Sequence, residues 1–273
     1  MFLHVLFVDD SKRDTCINIQ LSSVEKSMVQ VAHHSQHVPM TCPKSLRQYN
    51  SLEPLDKPRA ICHDEHHVYC SLLGSNNMLR IDAQGNKLEW VSYSTGTTLE
   101  SIRIKDNKIF VILSKNENRK ICVHGLQGQL IRSWQHADCS VYNLRNKLAV
   151  IGNQVIVCDV YNKRLTVYSL TGDIIRHIPC TQLLWNSSIC EAGDDSVAII
   201  TSEHSDRVYK LSLTTGQIEW TSTDMGRSAA VVCYADQYVL VAAINSSVII
   251  VLDMNTGRVL GEMLSQIASL FLK

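Results

Sequence analysis

No stretch of this chain approaches the roughly 20 apolar residues that a membrane-spanning helix needs, and no two of its cysteines stand in C-x-x-C spacing. The first absence argues against a membrane partner; the second removes the paired ligands of the common structural zinc sites. Net charge is missing as well, since 26 basic residues balance 26 acidic ones. A chain without basic excess has no whole-molecule attraction for nucleic acid or an anionic membrane, and DNA is not an expected partner. There is no serine elbow, phosphate-binding loop or dinucleotide fingerprint, so the common nucleophilic and nucleotide chemistries lack their motifs. No 3.6-residue apolar stripe of useful length occurs either, which argues against amphipathic helices.

What is present begins with an apolar opening, residues 1–8, that runs straight into Asp9 and Asp10. Without a basic leader region or a small-residue cleavage site, it is not expected to be a signal peptide. Of the ten cysteines, Cys62, Cys70, Cys122, Cys158 and Cys233 sit inside apolar, strand-like runs. Cysteine in such a place behaves as a small buried hydrophobe, and the expectation is reduced thiols and a cytoplasmic location.

The deciding feature is a repeat. Five segments share one layout of apolar strand, short polar turn, second strand and a turn ending in glycine. The turn glycines Gly85, Gly128, Gly172, Gly216 and Gly257 are spaced by 43, 44, 44 and 41 residues. A glycine there fits a tight hairpin that demands positive φ at its last position. Each unit also carries an earlier β-branched run (67–73, 108–113, 154–160, 196–202, 238–244) and a shorter one before it, such as 101–104 or 229–234. Four antiparallel strands per repeat of about 40 to 45 residues predict an all-β chain, a β-propeller of four-stranded antiparallel blades.

One propeller domain over 1–273 is expected. A degenerate sixth unit is read at the N-terminus (3–9, 16–21, 28–33), with the apolar run 266–272 completing it so that the chain's two ends close the ring and cover its edges. A long loop at 34–59 would join that unit to the clear repeats; it holds four of the five prolines, at 39, 43, 54 and 58.

Within the third unit, Asp159, Asn162 and Arg164 precede an apolar strand in a way that resembles the NHL-repeat pattern; Asp206-Arg207 and Asn77 keep parts of it. The fourth and fifth units, Thr215-Gly216-Gln217-Ile218-Glu219-Trp220 and Asp253-Met254-Asn255-Thr256-Gly257-Arg258, are similar to quinoprotein-type propeller repeats. Over about 59–264 the chain thus resembles a divergent NHL and quinoprotein-like propeller, similar to the C-terminal propellers of tripartite-motif proteins. That resemblance implies a recognition module for protein or RNA. No zinc-binding ligase framework accompanies it in this sequence.

Three functional classes are compatible with this frame. A non-catalytic platform for a protein or peptide partner leads. RNA binding is the alternative, because residues 101–178 carry 12 basic and five acidic groups, leaving the rest of the chain at −7. The candidate residues for an anionic partner are Arg103, Lys105, Lys115, Arg119, Lys120, Arg145, Lys147, Lys163 and Arg164. The bland reading of the same residues is solvated blade edges, since no aromatics interleave with them as single-strand binders prefer. A propeller enzyme with metal or quinone in its channel comes third. The dense His63-Asp64-Glu65-His66-His67 run lacks the helix and the ligand order of a zinc protease and reads as a hairpin turn. Trp90, Trp134 and Trp220, each four to six residues after a turn glycine, read as packing between blades. No catalytic residue, metal or cofactor is assigned, and the chain is not expected to be an enzyme.

Overall fold

A computed structural model describes residues 58–264 apart from 65, 73, 83, 117, 137–146, 185–186, 193, 202–206, 223–227, 235–236 and 244–247. Twenty strands fall into five four-stranded antiparallel sheets. The first blade is β1 (Pro58–His63), β2 (His67–Leu72), β3 (Asn77–Asp82) and β4 (Lys87–Ser92). The second is β5 (Thr98–Lys105), β6 (Lys108–Lys115), β7 (Asn118–Gly125) and β8 (Leu130–Gln135). The third is β9 (Leu148–Ile151), β10 (Gln154–Asp159), β11 (Arg164–Ser169) and β12 (Ile174–Pro179). The fourth is β13 (Ser188–Ala192), β14 (Asp194–Thr201), β15 (Val208–Ser212) and β16 (Ile218–Ser222). The fifth is β17 (Ser228–Tyr234), β18 (Tyr238–Ala243), β19 (Val248–Asp253) and β20 (Val259–Leu264). In every sheet the strands pair in chain order, so each blade is one sequence repeat.

The first strands touch one another in succession, β1 to β5 to β9 to β13 to β17. They therefore line the centre, and β4, β8, β12, β16 and β20 form the rim. This is the predicted propeller. Residues 3–9 and 266–272, on which the sixth blade and its closure depend, lie outside the described residues, as do residues 34–57 of the loop expected at 34–59; Pro58 and Arg59 belong to β1 instead.

The middle strands are continuous apolar runs because both of their faces are covered. Val155, Ile156, Val157 and Cys158 on β10 are all fully buried, and so are Ile109, Val111 and Ile112 on β6. The buried residues gather between neighbouring blades. One cluster joins Ile156 and Cys158 of the third blade to Ile189, Ala198 and Leu211 of the fourth. Another joins Phe110 and Ile121 of the second to Leu148 and Val157 of the third.

All five turn glycines have positive φ, from 68° at Gly257 to 97° at Gly172. Hydrogen-bonding side chains shape the same turns: Asp82 accepts from the Gln84 and Asn86 amides at 2.9 Å, and Asp253 accepts from the Thr256 amide at 2.8 Å. Such Asx-type turns are pinned from within, which explains the recurring aspartates. Every β3–β4-type pair also carries a register shift, beside the turn in the last four blades and mid-strand, between Met78 and Leu79, in the first. The resulting bulge increases the local twist and re-aims the outer strand.

Candidate functional site

The blades are joined by a repeated device. Trp90 on β4 donates its indole N–H to the Leu126 carbonyl in the next blade at 3.1 Å, and Trp220 on β16 donates to the Met254 carbonyl at 2.9 Å. Each indole lies over the turn glycine that follows in its neighbour. A Cβ on Gly257 would sit 2.4 Å from Trp220 Cε3, and one on Gly172 would sit 2.7 Å from Trp134 Cδ2. The glycines thus serve twice, supplying positive φ and leaving room for the neighbouring indole. Trp134 differs in one respect: its buried indole nitrogen finds no acceptor among the described residues.

Beside the first two of these contacts lies a polar pair whose members trade places. At the seam between the first and second blades Tyr93 OH meets His124 Nε2 at 2.8 Å; at the next seam His136 Nδ1 meets Tyr168 OH at 2.6 Å. His124 Nδ1 also lies 3.1 Å from the Gly128 carbonyl. The arrangement suits a neutral ring that donates from Nδ1 and accepts at Nε2. Burial holds the His124 pKa below its ordinary 6.5, against the opposing pull of the Gly128 carbonyl.

The seam between the third and fourth blades is built otherwise. Ile178 stands where Trp134 stands one blade earlier, six residues after the turn glycine. A Cβ on Gly216 would meet Ile178 Cγ2 at 3.1 Å and, among the described residues, nothing else within 4 Å. The carbonyl that a tryptophan would engage, that of Leu213, accepts instead from Arg176 Nη2 at 3.0 Å. Arg176 Nε is buried with no acceptor among the described residues. Next to this substitute contact lies an open groove of about 470 Å³, lined by Pro179, Thr181, Gln182, Leu211, Gly216, Gln217 and Ile218.

Most described members of the cationic set are engaged in contacts within the chain. Arg103 and Lys105 lie on the innermost strand β5 and reach across to β13. Arg103 donates to the Ile189 carbonyl at 3.4 Å, and Lys105 pairs with Glu191 at 3.5 Å. Arg119 and its partner Glu100 are both almost fully buried, with Nε 3.3 Å from Oε2. Lys147 donates to the Glu100 backbone carbonyl at 3.3 Å, tying the third blade to the same place. Arg164 holds Asp159 at 3.0 Å, and Asn162 donates to that carboxylate from its side-chain amide at 2.8 Å. The Asp-Asn-Arg motif is therefore a brace for the β10–β11 turn. Lys163 donates to the Leu183 carbonyl. Lys115 is exposed and donates to Ser94 Oγ at 2.9 Å, and Lys120 is half-buried on β7. Arg145 lies outside the described residues.

The histidine-rich run is the β1–β2 turn. Asp64 organises it, accepting from the His66 and His67 amides at 2.7 Å and from Tyr69 OH at 2.8 Å. Partial burial works against its ionisation, but these hydrogen bonds outweigh it and hold the pKa below the usual carboxylate value. Among the described residues no group of three His, Cys, Asp or Glu is placed to hold a metal ion. Cys62, Cys70, Cys122, Cys158, Cys180 and Cys190 are free thiols. Burial pushes Cys70 up to about 12 and raises Cys122, Cys158 and Cys180 as well, so these thiols are poor nucleophiles at neutral pH.

The rim is a feature that sequence reasoning missed. Leu88, Leu130, Ile131, Ile174, Ile175, Ile218, Val259 and Leu260 are exposed aliphatics at or next to the first residue of the five outer strands. The signal was available: each follows its turn glycine by two or three residues.

No protein-family model matches the chain, and no curated protein matches it. Solved structures do. The nidogen/laminin complex contains a chain similar to this one at TM-score 0.63 and 14% identity, over 80% of this chain and 83% of that one. The computationally designed Ika8 protein is similar at TM-score 0.53 and 18% identity, over 80% of this chain and 65% of that one. At such identities the likeness concerns the fold. It agrees with a β-propeller.

Proposed function

We propose that this propeller is a non-catalytic platform that captures a protein or peptide partner. The observation that carries the reading is how the side chains divide. The candidate cations Arg103, Lys105, Arg119, Lys147, Lys163 and Arg164 are engaged in contacts within the chain, whereas the rim of every blade exposes aliphatic side chains. A polyanion needs cations free to meet phosphate; a repeated apolar band suits a polypeptide surface. A fold neighbour that occurs in a protein–protein assembly, the nidogen/laminin complex, lends general support. The finer kinship to the propellers of tripartite-motif proteins rests on the Asp159-Asn162-Arg164 brace; under it this chain would be the recognition half of a larger assembly. Free thiols at six described cysteines fit a reducing, cytoplasmic setting.

The test is a selection from a random peptide library on the immobilised full chain, run beside titration of a 20-nucleotide single-stranded RNA at two salt concentrations. Peptides that bind with little salt dependence support the platform. RNA binding that weakens steeply with salt, without any peptide ligand, would transfer the function to RNA.

A further inference from the structure

We infer that the groove between the third and fourth blades receives an aromatic side chain, above all a tryptophan, from a partner polypeptide. The fold itself displays the occupant. At the other described seams an indole lies against the next blade's turn glycine: Trp90 beside Gly128, Trp134 over Gly172 and Trp220 over Gly257. At this one seam the chain supplies Ile178, and the groove lies alongside. Its walls combine apolar surface, Pro179, Leu211, Gly216 and Ile218, with the polar groups of Thr181, Gln182 and Gln217. That mixture suits an amphipathic ring, with a flat apolar body and one polar atom. A volume of about 470 Å³ lies within the range of side-chain and small-ligand sites.

Two further observations say that the partner is a polypeptide and not a free metabolite. Ile218 belongs both to the groove and to the exposed aliphatic band, so a chain seated in the groove continues onto apolar surface. Ile218 also opens β16, the outer strand of its sheet. An outer strand offers unpaired backbone groups to an extended segment running beside it. The anchor is then the aromatic side chain, and the strand edge sets its direction.

The inference rests on the peptide-capture reading, and its test separates the two. N-acetyl-L-tryptophanamide is titrated into the isotope-labelled full chain while the resonances of Thr181, Gln182, Gln217 and Ile218 are followed. Saturable shifts at these residues are expected, with affinity at least fivefold tighter than that of N-acetyl-L-leucinamide. Ile178→Trp, which supplies the missing indole, should abolish them; Ile218→Glu, at an exposed position without a packing role in the core, should do the same with an unchanged melting temperature. Shifts that are absent, equal for the two amides, or retained in Ile218→Glu would overturn the assignment. If library peptides bind Ile218→Glu as tightly as the parent, peptide capture stands and the groove is not its site. Trp185, close to the groove residues in sequence, lies outside the described residues; Trp185→Ala should leave binding within twofold. A tenfold gain would mean that the groove already holds this chain's own indole, and the external occupant would fall.

Discussion

Replacing Gly172 and Gly216 by alanine separates the two reasons for a glycine in the blade turns. Both residues lie in the region that side chains rarely adopt, at φ +97° and +73°. Each substitution therefore carries backbone strain of about 1–3 kcal/mol. What differs is the neighbour. A methyl at 172 would lie 2.7 and 2.8 Å from the Cδ2 and Cγ atoms of Trp134, whereas one at 216 meets Ile178 Cγ2 at 3.1 Å. Cδ2 and Cγ belong to the rigid root of the indole, so Trp134 must swing out of its seat. Ile178 can yield by a few tenths of an ångström. Losing much of an aromatic side chain's burial adds about 1.5–3 kcal/mol, so Gly172→Ala should be the more damaging by about 2 kcal/mol. For a propeller of this size that is a melting temperature about 4–8 °C lower than that of Gly216→Ala. Thermal melts followed by circular dichroism measure it, and urea midpoints with unchanged slopes check it. In a Trp134→Ala background, Gly172→Ala should cost only the strain, leaving a coupling energy between the two sites. Equal loss at the two glycines, or no coupling, would sink the idea that the indole and the glycine are one device.

Arg119→Met removes the ion-pair partner of the buried Glu100 carboxylate and should destabilise the protein by about 3–5 kcal/mol, with Glu100→Gln restoring much of the loss; an exposed-like effect below about 1 kcal/mol would show that water reaches the pair. His124 is more acidic folded than unfolded, so its contribution is complete above pH 6.5 and falls as pH drops through the lowered folded value. Stability curves of the parent should decline below that point, while His124→Gln is flatter there; superimposable curves would refute the assignment. Asp64 is depressed as well, so its contribution is present above its ordinary 3.8 and vanishes as acid titrates the folded carboxyl; Asp64→Asn should cost stability at pH 7 and little at pH 2. Under non-reducing conditions all ten cysteines should label with a thiol reagent after denaturation, while Cys70, Cys122, Cys158 and Cys180 resist it in the folded protein; two or more blocked thiols would contradict a reducing setting.

The propeller was legible because its signals are local and periodic. A glycine at a fixed interval marks a turn, and short β-branched runs between such turns, as at Val155 to Cys158, fit strands covered on both faces. Trp90, Trp134 and Trp220 announced packing for the same reason, each at a similar distance from its own glycine. What the candidate cations touch was legible only in part: Arg164 meets its motif partner Asp159, whereas other partners are distant along the chain or uncharged. Lys105 meets Glu191, 86 residues away, and Arg103 spends its guanidinium on two carbonyls. Counting charges by segment sums groups that the fold has already paired. The groove left a trace of another kind, a tryptophan that does not follow Gly172, and an absence speaks only after the rule it breaks is known.

The seams also have a direction: each blade's outer strand grips the turn of the blade that follows it. Stability in such an array is passed between nearest neighbours, and at the third junction Ile178 and Arg176 pass it beside a shared apolar cluster. A cut in the chain there separates no tryptophan from the glycine it covers. Circular permutants with new ends between β12 and β13 should fold better than permutants opened between β4 and β5 or between β16 and β17. The permuted chain would begin with the fourth blade and hand its tryptophan forward to the fifth, leaving no indole on the far side of a break.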